Sequence, residues 1–131
     1  MTHHVLFLCV HNAGRSQMAA GFLRALDIPD VVVWSGGSAP RESVNQTAVA
    51  VMSELGIDIA GQVPHRWTDD DIVAADVIVT MGCGDSCPVV KGKRYEDWVL
   101  EDPADQSTEV VRRIRDEIKE RVEALAKSLT R

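Results

Sequence analysis

Six residues, Val10-His11-Asn12-Ala13-Gly14-Arg15, separate the apolar run His4-Val5-Leu6-Phe7-Leu8-Cys9 from a stretch of helix formers, Ser16 to Leu26. The apolar run predicts a buried strand, the polar Gly-containing segment a tight loop, and the stretch after it a helix. Met18, Ala19, Phe22, Leu23 and Leu26 are expected on that helix's inner face, and Pro29 stops it. The alternation then repeats. Val31–Ser35 predicts a second strand, Gly36-Gly37 and Pro40 a loop, and Asn45–Leu55 a second helix. Val49, Met52 and Leu55 are expected to point inward there, and Gly56 takes the helix-ending position. Thr68 predicts an N-cap ahead of Asp69-Asp70-Asp71, where the helix dipole favours anions, so the acidic run reads as a solvated helix start rather than a metal site. Val77–Met81 and Tyr95–Leu100 predict two more strands. Val110, Val111, Ile114, Ile118, Val122, Leu125 and Leu129 recur by threes and fours as the stripe of one long terminal helix. The expected fold is therefore α/β: a small four-stranded parallel sheet flanked by helices on both faces. Ligands of such sheets bind beyond the carboxyl ends of the strands. Cys9, the loop at Gly82 and the loop after Leu100 all fall there.

At 131 residues, with no repeat or linker, the chain is expected to be a single domain over 1–131. Hydrophobic residues make up 45%, enough to bury a core without disulfide staples. Lys plus Arg total 14 against 20 Asp plus Glu, a formal charge of −6. That balance argues against a nucleic-acid binder, whose footprint is a basic patch, and more weakly against binding an anionic membrane. A small anionic substrate stays admissible, since a cluster of amides with one Arg outweighs the global sign locally. Apolar runs such as Val31–Trp34 are too short to span a bilayer, and nothing at the start resembles a secretory leader, so a cytoplasmic location is expected. Three cysteines, an odd number, argue against a secreted disulfide scaffold and raise catalytic, redox or metal roles.

The most specific signal is Cys9-Val10-His11-Asn12-Ala13-Gly14-Arg15-Ser16, a C-x5-R-S pattern between strand and helix. Five intervening residues let the backbone curl until successive N–H groups point at one oxyanion, and the helix N-terminus adds its own free amides. Asn12 and Gly14 suit such a curl because both tolerate positive φ. Arg15 offers a planar fork matching two oxygens of a tetrahedral anion. Cys9 at the centre is the expected nucleophile, acting as its thiolate, with Ser16 donating a hydrogen bond to it. The competing reading is a buried structural cysteine beside a surface arginine; the strand-to-helix placement favours the functional one. A regulatory anion-binding module is a third reading, which a cysteine at the loop centre argues against. His11 faces either the anion or solvent. Cys83 and Cys87 form either a zinc half-site or a redox pair; His11 and His65 are not spaced to complete a zinc knuckle, so no metal is expected. Asp102-Pro103 is either a turn starter or the seat of a general acid. Trp67, Trp98 and Tyr95 are expected to pack rather than recognise substrate.

The Cys9–Ser16 loop resembles that of the low-molecular-weight protein tyrosine phosphatases and their relatives, the thioredoxin-coupled arsenate reductases. Ser16-Gln17-Met18-Ala19 is similar to the reductase branch, and the resemblance continues through Trp34-Ser35-Gly36-Gly37, Val79-Thr80-Met81, Asp102-Pro103-Ala104 and Arg113–Ile118, nearly the whole chain. It implies an arsenate reductase. Residues 10–16 would bind the arsenate or phosphate-like oxyanion, Cys9 would attack arsenic, and Asp102 would protonate the leaving oxygen. Cys83 would then take a Cys9–Cys83 disulfide, and Cys87 would leave a Cys83–Cys87 disulfide for thioredoxin. No cofactor would be bound, the external reductant being thioredoxin or a low-molecular-weight thiol. Two departures qualify this. Cys83 and Cys87 stand closer together than in thioredoxin-coupled members, and a bridge at i, i+4 needs Cα atoms within about 7 Å and therefore no regular helix there. Ala20 or Gly21 stands where some relatives use an acidic residue to hold potassium, so no cation is expected. The alternatives are a mycothiol-dependent arsenate transferase, or a phosphatase using Cys9, Arg15 and Asp102 alone.

Overall fold

The opening apolar run forms β1 (His3–Cys9) at the centre of the sheet, buried from Val5 onward. The computed structural model describes residues 2–82 and 92–130. On one side β1 pairs in parallel with β2 (Val31–Gly37), on the other with β3 (Val77–Thr80); β4 (Arg94–Asp97) adds to β3, giving the order β2-β1-β3-β4. A strand covered on both faces and paired on both edges meets no water, which is why β1 reads as a continuous apolar run. Val5 and Phe7, with Val77 and Val79, face α1 (Arg15–Ala25), α2 (Gln46–Ser53) and α4 (Thr108–Leu129). Leu6, Leu8 and Ile78 face the other way, onto Trp67 and onto Ile72 of α3 (Asp69–Ala74). No helix among the described residues is long and apolar enough to cross a membrane.

The expected periodicities hold where they were longest. In α4, Val111, Ile114, Ile118, Val122 and Leu125 are all buried. Thr68 caps α3 reciprocally: its hydroxyl accepts from the Asp71 amide, and the Asp71 carboxylate accepts from the Thr68 amide. The acidic run is a helix start.

Elsewhere, element ends depart from expectation. Gly36 and Gly37 are the last two residues of β2, laddered to Leu8 and Cys9, rather than a loop. Their lack of side chains serves close approach. A Cβ on Gly36 would lie 3.0 Å from the Trp67 nitrogen, and one on Gly37 2.7 Å from the Val10 carbonyl oxygen. α1 ends at Ala25 and α2 at Ser53, each earlier than expected, so Leu26 and Leu55 sit beyond the packed faces at 45% and 42% exposure. Ala48, Val51 and Met52 form the inner face of α2, with Val49 only half-buried. The fourth strand is Arg94–Asp97; Trp98 and Leu100 are buried from the loop that follows it.

The end of α2 is tied to α4 by charge. Glu54 accepts from Arg112 Nη2 at 2.6 Å and from Arg115 Nη1 at 2.7 Å, and the same Arg115 nitrogen donates to the Val51 carbonyl at 2.8 Å. Hydrogen bonds from Arg112 first and Arg115 second hold the Glu54 carboxyl down from an ordinary 4.5 to about 2. The folded value lies below the unfolded one, so this stabilisation is present above about pH 4.5 and is lost as pH falls toward 2. Glu54→Gln should lower the urea midpoint at pH 7 and flatten its decline between those limits. Parallel acid limbs in the two proteins would show that the pairing adds nothing.

Candidate active site

β1 ends at Cys9, and the next five residues turn their carbonyls outward, each onto a donor beyond the loop. Val10 O accepts from Ala39 N (2.8 Å), His11 O from Arg41 N (3.0 Å), Ala13 O from Asn45 N (2.8 Å) and Gly14 O from Met18 N (2.9 Å). Asn12 O accepts from Gln17 Nε2 at 2.8 Å. Opposed to these carbonyls across each peptide plane, the amides of residues 11–15 face inward, and no acceptor among the described residues takes their hydrogens. Such a ring of free amides at a helix N-terminus is an anion cradle. Arg15, the first residue of α1, is buried, and its guanidinium lies within 3.7 Å of Asp102 Oδ2 and 3.5 Å of the Leu100 carbonyl oxygen.

Asn12 makes the curl possible. It is fully buried with φ of 49°, a left-handed conformation that asparagine tolerates better than most residues. Its side chain has a fixed orientation. The His65 amide can only donate, and does so to Asn12 Oδ1 at 3.0 Å, which leaves Nδ2 to donate to Ser16 Oγ at 2.7 Å. Ser16 Oγ, engaged as an acceptor there, lies 2.9 Å from Cys9 Sγ. With the sulfur as thiolate, the hydroxyl hydrogen points at it. Cys9 is 2% exposed and lines a cleft of about 520 Å³. Asp102 and Pro103 form one wall of that cleft, Arg41 to Thr47 another, and His11 is the one aromatic ring among the described lining residues.

Cys9, Asn12, Ala13, Gly14, Arg15 and Ser16 are thus gathered in one buried turn, with Val10 and His11 half-buried beside them. His11 Nδ1 lies 3.2 Å from the Ala39 carbonyl oxygen at the cleft edge. Asp102 stands across the cleft with a half-exposed carboxylate, one oxygen accepting from Ala104 N at 3.0 Å. Cys83 and Cys87 lie outside the described residues. A cysteine sulfur at the centre of an amide ring, flanked by a buried guanidinium and a facing carboxyl group, has the parts for nucleophilic attack on a bound tetrahedral oxyanion and for proton transfer to what leaves.

The low molecular weight phosphotyrosine protein phosphatase family matches residues 4–131. The chain belongs to that family. Among its relatives, a glutaredoxin arsenate reductase from Synechocystis is 43% identical over 124 residues, covering 92% of this chain and 94% of that one. A thioredoxin-dependent arsenate reductase from Corynebacterium glutamicum superposes with a TM-score of 0.86 at 42% identity, over 98% of this chain; this chain spans 62% of that longer one. An arsenate reductase in the phosphate binding state superposes at 0.81 with 40% identity, over 97% and 98% of the two chains.

Within the family fold, several supporting groups escaped sequence reasoning. Gln17 is 1% exposed and binds the Asn12 carbonyl; a glutamine directly before the apolar Met18-Ala19-Ala20 run of α1 was the available signal. The His65 amide carried none, because it reaches the loop only through docking of its segment beside Gly37, whose amide donates to the His65 carbonyl at 2.9 Å. Gly14 is the contact between the two halves of the site: a Cβ there would lie 2.5 Å from Pro103 Cγ. Gly14→Ala should therefore lose about 1–3 kcal/mol in urea unfolding, the usual cost of overpacking. Adding Pro103→Ala should recover most of it. A double variant no better than Gly14→Ala would mean that the two loops do not meet there.

Proposed function

We propose that this protein reduces arsenate to arsenite, with Cys9 as nucleophile, Cys83 and Cys87 as resolving thiols, and a dithiol protein of the thioredoxin class as reductant. The observation that carries the reading is the seat of Gly82. Its φ is +81°, and any Cβ on it would collide with Arg15 Nη1. The residue immediately before Cys83 in the sequence therefore lies against the guanidinium that faces the anion cradle, and in this reading the second thiol comes to the site from there. A hydrolase acting on phosphoesters has no use for one.

In this reading the amides of residues 11–15 and the Arg15 guanidinium hold the oxyanion over Cys9. Cys9 Sγ forms a bond to arsenic while one arsenic–oxygen bond breaks, the oxygen leaving as water with a proton from Asp102. Cys83 then attacks Cys9 Sγ. A disulfide forms, the sulfur–arsenic electron pair stays on arsenic, and arsenite departs reduced by two electrons. Cys87 attacks Cys83 and releases the Cys9 thiolate, and the reductant's two thiols supply two electrons and two protons to the Cys83–Cys87 disulfide. Support also comes from the arsenate reductases among the relatives and from the described cleft walls, which offer no Phe, Tyr or Trp to grip an aryl phosphate. The names of those relatives point to two donors, a glutaredoxin and a thioredoxin. Thioredoxin is favoured here because three cysteines let the chain finish with an internal disulfide.

The test follows NADPH oxidation with arsenate in three mixtures: thioredoxin with its reductase, glutaredoxin with glutathione and its reductase, and mycothiol with its redoxin and reductase. Arsenate-dependent oxidation is expected with thioredoxin, and it should vanish in Cys9→Ser, Cys83→Ser and Cys87→Ser alike. Turnover confined to glutaredoxin or mycothiol would replace the proposed donor. No turnover with any donor, together with nitrophenyl phosphate hydrolysis that survives Cys83→Ser, would make the protein a phosphatase.

A further inference from the structure

Behind the nucleophile loop, away from the cleft, runs a line of side-chain amides that the reaction itself does not use. Arg24 Nη1 donates to Gln62 Oε1 at 2.7 Å. Gln62 Nε2 donates to Gln17 Oε1, and to the Gln17 carbonyl at 3.2 Å. Gln17 Nε2 donates to the Asn12 carbonyl at 2.8 Å and to Asn12 Oδ1 at 3.1 Å. Asn12 then continues to Ser16 and Cys9 as described. Arginine has no acceptor, so it sets the direction of every bond that follows. Gln62 Oε1 must face it, which turns Gln62 Nε2 toward Gln17, and so on to the sulfur. Arg24 is itself held by a second bond, from Nη2 to the Val33 carbonyl at 2.9 Å. Partial burial lowers its pKa from the ordinary value, and those two bonds replace water that it has lost. Gln62 is anchored through its own amide, which donates to the Ile59 carbonyl at 3.1 Å.

We propose that Gln62, oriented by Arg24, is a positioning residue for the nucleophile: through Gln17 it holds the left-handed turn at Asn12 and hence the Ser16 hydroxyl on the Cys9 sulfur. Neither residue lines the cleft. Their effect passes entirely through the buried amides, so it should fall on the nucleophile's reactivity more than on oxyanion affinity. The proposal rests on Cys9 being the nucleophile, and the test separates the two.

The experiment uses Cys83→Ser/Cys87→Ser protein, in which Cys9 is the only thiol, and follows alkylation by iodoacetamide from pH 5 to 9, with and without inorganic phosphate. The parent should react rapidly at neutral pH and be protected by phosphate. Gln62→Leu, which keeps bulk and loses both ends of the amide, should slow alkylation at pH 7 by about tenfold, the scale on which removing an outer orienting partner acts. Arg24→Met should do likewise and Arg24→Lys should restore part of the rate, because lysine still donates. In the three-cysteine protein, Gln62→Leu should lower kcat for arsenate with KM changed less. Alkylation profiles and kcat in Gln62→Leu and Arg24→Met that match their parents, whatever the melting temperatures, would overturn the proposal by showing a merely structural network. A parent thiol that reacts no faster than free cysteine and ignores phosphate would instead overturn the reading of Cys9, and the proposal with it.

Discussion

An anion cradle works only if its amides have nowhere else to go. Here that condition is met by occupying the carbonyls: five successive oxygens, from Val10 to Gly14, are each held from outside the loop. Once they are turned out, the peptide planes leave the N–H groups of the turn no choice of direction. The donors come from the segment at 38–41, from the start of α2, and from α1 itself, so the shape of eight residues depends on three separate stretches of chain. This is pre-organisation in the physical sense. The cost of ordering the turn is met during folding, and an arriving oxyanion meets donors that need not reorient.

The same dependence explains what could be read from sequence and what could not. Cys9, Arg15 and Ser16 were legible because their chemistry is local: a strand end, a fixed spacing and a helix start lie within eight residues. The terminal helix was legible because its apolar stripe repeats over six turns with little ambiguity of period. Gly36 and Gly37 misled, since a glycine pair is the common mark of a loop. Their true constraint comes from Trp67 and Val10, far away in sequence, whose close approach a Cβ would block. Leu26 and Leu55 misled in the opposite sense: each continues an apolar period past the point where its helix stops. Gln62 and the His65 amide left no signal at all, because a polar residue in a connecting segment has no periodicity to violate.

Stability and chemistry are largely housed apart. The charged ties of Arg112 and Arg115 to Glu54 bind α2 to α4, whereas the nucleophile loop leans on the start of α2, where the Asn45 amide reaches the Ala13 carbonyl. α2 is thus anchored at one end by ions and engaged at the other by the site. Substitutions in the two regions share no direct partner, so their free energies should add to a first approximation.

The proposed chemistry imposes opposite demands on its two thiols. Cys9 must stay still, since the amides and Arg15 are useful only while the sulfur sits beneath the anion. Cys83 must come to it, because a disulfide closes the sulfur–sulfur distance to about 2.05 Å. The boundary between these demands falls at Gly82. Its positive φ takes the chain out of β3 in a direction open to few other residues, and the absence of a side chain leaves Arg15 where it is. A larger residue there would face a choice between straining the backbone and displacing the guanidinium, and either would spoil one half of the reaction. Glycine at this position lets the chain leave β3 directly against Arg15 without disturbing the guanidinium that the proposed chemistry needs held still.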